Sequence, residues 1–217
     1  MLIVHHLNNS RSQRVLWLCE ELGIPYEIRH YQRDPVTQAG PPELKALHPL
    51  GKSPMITDRG RVIVESTAIA ELILERYGNG ALQPVPDGIE HERYVQWMHY
   101  AEGSGVFPFL LRVHARHSNA GSPSFDAIVD HHIAMHLGYL DATLARQPYL
   151  AGDDFTAADI QISFVAELAE ASLPLDGFPH LVAWLGKIQD RPAYRRAVEK
   201  GGPYAFNFFG NKETAEG

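Results

Sequence analysis

The strongest constraint on the fold is that strand patterns stop near residue 78, whereas helical patterns continue beyond it. Residues 1–78 alternate between short apolar runs typical of strands and segments whose apolar residues recur at helical spacing. Residues 79–89 are rich in proline and glycine, as linkers are. The sequence therefore predicts an α+β domain at 1–78, a linker at 79–89 and an all-helical domain at 90–217.

The first domain shows a βαβ unit followed by a ββα unit. Val15, Leu18 and Leu22 recur at helical spacing between two short apolar runs, and Gly23 stops the helix. Two strands joined through a helix are expected to be parallel. Gly60 lies in a turn between two later strands, which predicts a hairpin with positive φ at the glycine. The expected elements are strands at 2–7, 26–31, 55–57 and 62–64, and helices at 15–22, 43–47 and 66–77.

The second domain shows helical patterns alone. Its first helix contains Gly103, Gly105 and Pro108, which predict a bend. Its third helix begins with Thr156, followed three residues later by Asp159. This is the pattern of a capping box, so both residues are assigned to folding. The expected helices are 90–117, 125–146, 156–172, 179–190 and 193–200.

Charge and composition exclude several classes of function. The net charge of -7 argues against a nucleic-acid partner, since phosphate binding requires clustered Lys and Arg side chains. No apolar run approaches the ~18 residues of a membrane span, and no secretory signal is recognisable, so we expect no membrane partner and a cytoplasmic location. The single cysteine, Cys19, cannot form an intramolecular disulfide. It lies on an apolar helix face, which favours a buried thiol over a catalytic one.

The twelve histidines raise the question of a metal site. His132 and His136 are four residues apart, and His114 and His117 are three apart, so each pair can share a helix face. The residues between them lack the HExxH pattern, and no cysteine cluster accompanies them. We therefore expect no metal cofactor.

Four separated motifs give the sequence a family resemblance. They are Asn-Ser-Arg-Ser-Gln-Arg-Val at 9–15, His-Pro-Leu-Gly-Lys-Ser-Pro at 48–54, Glu-Ser at 65–66 and Phe-Thr-Ala-Ala-Asp at 155–159. In this order they resemble cytosolic glutathione transferases over nearly the whole chain. The first motif, with Tyr-Ala-Glu-Gly-Ser at 100–104, is similar to a bacterial and fungal serine-type subgroup. The resemblance implies a thioredoxin-like, glutathione-binding domain (βαβ then ββα) followed by an all-helical bundle domain that contributes the electrophile pocket.

The resemblance places the catalytic hydroxyl at Ser10, where the first strand turns into the first helix. Glutathione reacts as a thiolate, and a free thiol has a pKa of about 8.5, so a hydroxyl that donates to the sulfur favours the reactive form. Asn9 and Ser12 remain alternatives for this role, and Ser10 also fits an ordinary N-cap serine. Arg11 and Arg14 are weaker candidates near the cleft. The turn contains no Tyr and no Cys, unlike the tyrosine-using and mixed-disulfide classes.

The resemblance also implies the remaining glutathione contacts. Ser53 precedes Pro54, which corresponds to the family's cis-proline, so the Ser53 backbone is expected to pair with the extended tripeptide. Lys52 suits the glycyl carboxylate. Ser66 and the N–H groups that open its helix suit the γ-glutamyl carboxylate, and Glu65 suits the ammonium group. A turn proline, a solvated lysine and a helix cap are the structural alternatives.

Aromatic residues are candidates for the second-substrate pocket. Trp97, Tyr100, Phe107 and Phe109 would line it from the first long helix of the second domain, although aromatics at helical spacing also fit the core. The apolar segment 204–209 folds either over this pocket or onto a neighbouring molecule.

The resemblance thus implies a homodimeric glutathione transferase of the detoxification type. Its expected reaction joins the thiolate of glutathione, a co-substrate, to a small hydrophobic electrophile, with peroxidase activity as a side reaction. The alternative is a non-catalytic glutathione-binding regulatory protein of the same fold. A thiol-disulfide reductase is disfavoured because the active-site turn lacks cysteine.

Overall fold

A four-stranded sheet forms the centre of the first domain. The computed structural model describes residues 1–118 and 120–206. The strands lie in the order β2–β1–β3–β4, with β1 and β2 parallel, as predicted. The β3–β4 turn has positive φ at Arg59 (51°) and at Gly60 (75°), as predicted for the glycine. The strands are β1 (Ile3–Leu7), β2 (Glu27–Tyr31), β3 (Met55–Asp58) and β4 (Arg61–Val64).

Helices cover the sheet and build the rest of the described chain. α1 (Ser12–Leu22) joins β1 to β2, and α3 (Ser66–Ile73) follows β4 and ends in a π-helical turn, Leu74–Gly78. Beyond Val64, the residues described up to 206 contain no strand, which confirms the predicted α+β domain followed by helices. The other helices are α2 (Pro42–Leu47), α4 (Ile89–Tyr100), α5 (Phe107–Ser118), α6 (Pro123–Leu144), α7 (Ala157–Ser172), α8 (Pro179–Gln189) and α9 (Pro192–Gly201).

The strand register brings three chain segments to one edge of the sheet. His5 in β1 lies opposite Met55, the first residue of β3, and Met55 lies opposite Val64, the last residue of β4. The carboxyl ends of β1 and β4 therefore meet the amino end of β3. Because α1 and α3 follow β1 and β4, both helices begin at this edge and direct their free N–H groups there.

The long helix predicted at 90–117 is divided into two by a π-helical turn, Ala101–Gly105. The end of this turn is tightly packed, since an added Cβ at Gly105 would lie 3.2 Å from both Tyr100 Cε1 and Val165 Cγ2, closer than ordinary van der Waals contact. The predicted bend is thus confirmed. Glu102, in this π-helical turn, forms ion pairs with Arg11 and Arg14 at the start of α1.

The two domains share one hydrophobic core through α1. Trp17 contacts the rings of Phe155 and Tyr194, at centroid distances of 5.7 and 5.0 Å. Cys19 is fully buried in the same core, as predicted. At the rim, Glu21 accepts from Arg191 Nε at 2.6 Å. Since Phe155, Tyr194 and Arg191 belong to the helical domain, α1 holds the two domains together.

The capping box predicted at the start of α7 is confirmed. Asp159, which has no exposed surface, accepts from the Thr156 backbone N–H at 2.9 Å. The same carboxylate accepts from Leu150 N at 3.1 Å and from Trp184 Nε1 at 3.0 Å. Its role is therefore in folding, as the sequence indicated.

Candidate functional site

Five of the predicted site residues lie together at the sheet edge where α1 and α3 begin. Ser10 lies between β1 and α1, and its Oγ is 3.0 Å from Ser53 Oγ. The Ser53–Pro54 peptide is cis, as predicted, and directly precedes β3. Glu65 and Ser66 link β4 to α3. The fold thus gathers residues from three separate motifs.

A chain of hydrogen bonds runs from Ser53 into the interior. Ser10 Oγ lies 2.7 Å from Ser12 Oγ, which lies 2.9 Å from His6 Nδ1. At the inner end, His6 Nε2 is 2.9 Å from the Gly201 carbonyl oxygen. The chain therefore connects the cis-proline loop, the β1–α1 turn and the end of α9.

The direction of every hydrogen in this chain follows from its inner end. The Gly201 carbonyl only accepts, so His6 Nε2 carries the ring hydrogen. Burial lowers the pKa of His6 to about 4, so the ring is neutral at neutral pH and its Nδ1 is an acceptor. Ser12 therefore donates to His6, which leaves Ser10 to donate to Ser12. Ser53, in turn, donates to Ser10.

Ser10 is thus a buried link in this chain. The residue is 3% exposed, and its Oγ also accepts from the Ser12 backbone N–H at 3.2 Å. To donate to a bound sulfur, the hydroxyl must first leave Ser12, losing a contact worth about 1 kcal/mol. The role of Ser10 as thiol activator stays a prediction.

Asn9, the first alternative to Ser10, is half-buried and adopts a left-handed backbone conformation, with φ 52°. Its Oδ1 accepts from the Ala205 backbone N–H at 2.6 Å. Because that N–H is a donor, the amide oxygen must face it, and Nδ2 faces away. Nδ2 is not a buried atom, and it has no hydrogen-bond partner in residues 1–118 or 120–206.

Arg33 fixes the backbone of the same turn. Its guanidinium donates to the carbonyl oxygens of Asn8 (3.1 Å), Asn9 (3.2 Å) and Gln38 (2.8 Å). Among the described residues, no carboxylate lies within ion-pair distance of it. Arg33 therefore places a positive charge beside the turn while it holds the left-handed bend.

Glu102 links the turn to the helical domain. Its carboxylate accepts from Arg11, which precedes α1, and from Arg14 in the first turn of α1. Burial raises the pKa of Glu102, but Arg14 and Arg11 outweigh this effect and hold the pKa at about 2. Arg14 is 2% exposed and therefore structural, whereas the side chain of Arg11 is 31% exposed and is partly accessible to solvent.

The other predicted glutathione-binding residues differ in exposure: Glu65 and Lys52 are exposed, whereas Ser66 is only 5% exposed. Glu65 is exposed and has φ 76°, a strained conformation for a non-glycine residue, and such strain is concentrated at functional sites. Ser66 opens α3, where free N–H groups suit a carboxylate. Lys52 is exposed and forms no ion pair within the described residues. The glutathione-binding roles of Glu65, Ser66 and Lys52 therefore stay predictions.

The aromatic candidates for the second-substrate pocket separate into two groups. Trp97 and Phe109 are buried in the core, so the structural alternative holds for both. Tyr100 is half-buried and Phe107 is exposed, so lining the pocket stays a prediction for these two.

The C-terminal apolar segment is packed against α7. Tyr204 stacks on Phe206 at 4.6 Å, and both rings contact Phe164 of α7. The described part of the segment 204–209 thus folds back onto its own chain beside Asn9, while residues 207–209 lie outside the described residues.

A cavity of about 470 Å³ lies elsewhere, between the linker and the loop before α7. Glu90, Asp154 and Arg191 are among its lining residues, and none of the predicted site residues lines it. Beside it, Ala157 N donates to Leu82 O at 2.8 Å, so this cavity is separate from the edge where α1 and α3 begin.

Sequence patterns did not identify three residues that order the site. His6 lies in an apolar strand, and its only signal was a polar residue in that run. Glu102 was noticed only as part of a motif. Ala205 acts through its backbone, so no side-chain signal could have identified it.

Residues 1–118 and 120–206 lack the features of a membrane span and of a clustered metal site. No helix there is both long and apolar enough to cross a membrane. No group of three or more His, Cys, Asp or Glu side chains is arranged to hold a metal ion.

Comparison with known proteins identifies the family. Residues 10–76 match "Glutathione S-transferase, N-terminal domain" and residues 107–192 match "Glutathione S-transferase, C-terminal domain". Glutathione S-transferase 3 of Schizosaccharomyces pombe is 37% identical over 92% of this chain and 88% of its own. The crystal structure of a glutathione S-transferase from Actinobacillus pleuropneumoniae has a TM-score of 0.88, with 28% identity over 96% of this chain and 99% of that one.

A sphingomonad glutathione S-transferase, solved in complex with glutathione, has the same fold. Its TM-score is 0.76 at 23% identity, over 92% of this chain and 98% of that one. The matches cover both domains, in the order that the motifs indicated. The chain therefore belongs to the glutathione S-transferase family and is a transferase of that family.

Proposed function

We propose that this protein binds glutathione at the edge where α1 and α3 begin and transfers its thiolate to an electrophilic carbon of a small apolar molecule. The observation that carries the proposal is the convergence of Ser10, Ser53 and Ser66 at that edge. The sulfur electron pair forms the new C–S bond, and the leaving group of the electrophile departs with its own electron pair. Reduction of a peroxide by the same thiolate is the side activity that we expect.

The binding groups match the chemistry of the tripeptide from end to end. The N-terminus of α3, with Ser66, suits the γ-glutamyl carboxylate, and Glu65 suits the neighbouring ammonium group. The backbone of Ser53 would pair with the cysteinyl residue, which places the sulfur near the β1–α1 turn. Lys52, free of any ion pair in the described chain, would bind the glycyl carboxylate.

The positive charges near the turn favour a thiolate over a thiol. Arg33 has no carboxylate partner among the described residues, and the side chain of Arg11 is partly accessible to solvent. Nearby positive charge and the N-terminus of α1 both lower a thiol pKa. A thiolate would therefore be the main form at neutral pH, and holding it beside the electrophile adds the effect of proximity.

Glutathione titration of the purified protein tests the proposal. Ultraviolet absorbance of the thiolate, followed as pH is varied, should show saturable binding and ionisation at or below neutral pH. An aryl halide should then be conjugated. No binding at millimolar glutathione would refute the proposal.

Lys52→Met tests the orientation of bound glutathione in the site. We expect about tenfold weaker binding of glutathione, and a much smaller change for glutathione esterified at the glycyl carboxylate. Arg195→Met, which removes an exposed charge on α9, is the matched control. An equal loss for both ligands would place the glycyl end elsewhere.

A non-catalytic glutathione-binding protein is the second candidate, because the Ser10 hydroxyl is directed inward to Ser12. The same titration separates the two candidates. Saturable binding with an ordinary thiol pKa and no conjugation would favour the binding protein.

We further propose that the protein is a homodimer. Apolar side chains are exposed along α4 and α6, which suits burial against a second copy. Light scattering of the purified protein tests the mass in solution. The exposed residues are Val95, Ile128, Met135 and Tyr139.

A further inference from the structure

The last residue of α9 and the segment that follows it contact the β1 strand and the β1–α1 turn at two points. The Gly201 carbonyl accepts from His6 Nε2 at 2.9 Å, and the Ala205 N–H donates to Asn9 Oδ1 at 2.6 Å. Both partners belong to the first domain, almost 200 positions away in the sequence. Packing of Tyr204 and Phe206 against Phe164 holds the segment in place.

The first contact removes Ser10 from the set of free donors. Because Gly201 fixes the hydrogen of His6 on Nε2, the hydroxyl hydrogens of Ser12 and Ser10 both point inward. Ser53 already donates to Ser10. A sulfur at this turn would therefore meet hydroxyl groups whose hydrogens are already engaged.

The second contact has the opposite effect on Asn9. An unconstrained amide can exchange its oxygen and nitrogen by rotation. The hydrogen bond from the Ala205 N–H prevents this exchange, because only the amide oxygen of Asn9 can accept it. Asn9 Nδ2 is consequently held in one orientation, with its two hydrogens unused by residues 1–118 and 120–206 and accessible to a ligand.

We propose that Asn9 Nδ2 is the group that donates a hydrogen bond to the sulfur of glutathione, and that the Gly201–Phe206 segment positions it. Asn9 is then the catalytic residue, and Ala205 is a positioning residue. The thiol proton leaves to solvent water, and the sulfur accepts the N–H of Asn9. This inference rests on the proposed function and specifies how its site works.

Two variants of Asn9 test the donor role. Asn9→Gly removes the amide at a position whose positive φ suits glycine, so the turn should be retained. Asn9→Asp keeps the oxygen that faces Ala205 but has no N–H. Both should raise the pKa of bound glutathione by about one unit or more and lower turnover about tenfold below neutral pH. S-methylglutathione, which has no ionisable thiol, should bind each variant as it binds the wild type.

Asn8→Ala is the matched control, because it removes the neighbouring amide, whose Oδ1 accepts from Arg33 N at 2.8 Å. It should leave the thiol pKa within a few tenths of a unit. Ala205→Pro and Ala205→Gly form a second pair. Only the proline variant removes the N–H, so it alone should raise the pKa, by less than Asn9→Gly does.

The possible failures are distinguishable. If the wild type does not bind glutathione, the proposed function fails. If the wild type ionises glutathione at neutral pH and Asn9→Gly does the same, the function stands and this inference is wrong. A rise in the thiol pKa in Ser10→Ala but not in Asn9→Gly would also overturn it, in favour of the hydroxyl.

Discussion

Glu102→Gln should destabilise the protein in a way that depends on pH. The carboxylate joins the π-helical turn of the second domain to Arg11 and Arg14 at the start of α1 of the first. Burial raises the pKa of Glu102, but Arg14 and Arg11 bring it from its ordinary 4.5 down to about 2. A folded-state pKa below the unfolded value gives stability that is present above pH 4.5 and is lost as pH falls through 2.

The size of the effect follows from this shift. The difference between 4.5 and 2 corresponds to about 3 kcal/mol of unfolding free energy at neutral pH, and about 1 kcal/mol remains near pH 3. The Glu102 side chain is 23% exposed and Arg14 only 2%, so solvent screens the ion pair weakly. Glutamine keeps the shape of the side chain and its acceptor oxygen, so the loss of unfolding free energy reports mainly on the charge of Glu102.

Urea unfolding at neutral pH and near pH 3, followed by tryptophan fluorescence, measures both values. Asp190→Asn is the control, since it breaks an ion pair in which both side chains are more than half exposed, and it should cost less than about 1 kcal/mol. An equal loss at both pH values would show that packing is responsible. A loss under about 1 kcal/mol at neutral pH would show that desolvation offsets the ion pair.

Three further predictions concern buried groups. Burial raises the pKa of Cys19 to about 12, so a thiol reagent should leave native Cys19 unmodified and label it only after denaturation; rapid labelling of the native protein would contradict the structure. Burial likewise raises the pKa of Glu167 to about 7, so wild-type stability should decrease as pH rises from 4.5 through 7. Glu167→Gln should gain about 2–3 kcal/mol relative to the wild type between about pH 5 and 9, measured by urea unfolding, and a constant difference would exclude the ionisation. Asp159→Ala should cost about 4 kcal/mol because it leaves the N–H groups of Leu150, Thr156 and Trp184 without their acceptor, and a melting temperature within a few degrees of the wild type would refute this.

Local patterns determined most of the secondary structure. The apolar run at 2–7, the alternation at 26–31, the stop at Gly23 and the glycine at Gly60 each specify an element through the conformations that nearby residues allow. The bend in the long helix was also predicted, because glycine and proline commonly bend helices. Its division into two α-helices by the π-helical turn Ala101–Gly105 was not predicted, because local composition does not distinguish a bent helix from a divided one.

The sequence by itself also determined the family and the segments that form the site. Motifs containing Ser10, Ser53 and Ser66 are each short and local, and their order was enough to indicate a glutathione site. Sequence patterns could not show which hydrogen atoms are free at that site. That depends on hydrogen-bond direction, which is a property of partners in space.

Only the tertiary structure decided how the donors at the β1–α1 turn are oriented. The neutral tautomer of His6 is set by the carbonyl of Gly201, and the amide of Asn9 is set by the N–H of Ala205. Both groups belong to the backbone, which every residue shares, so residue identity carries no signal for them. Folding of the C-terminal segment onto the first domain therefore determines how the side-chain hydrogen-bond donors of the turn are directed.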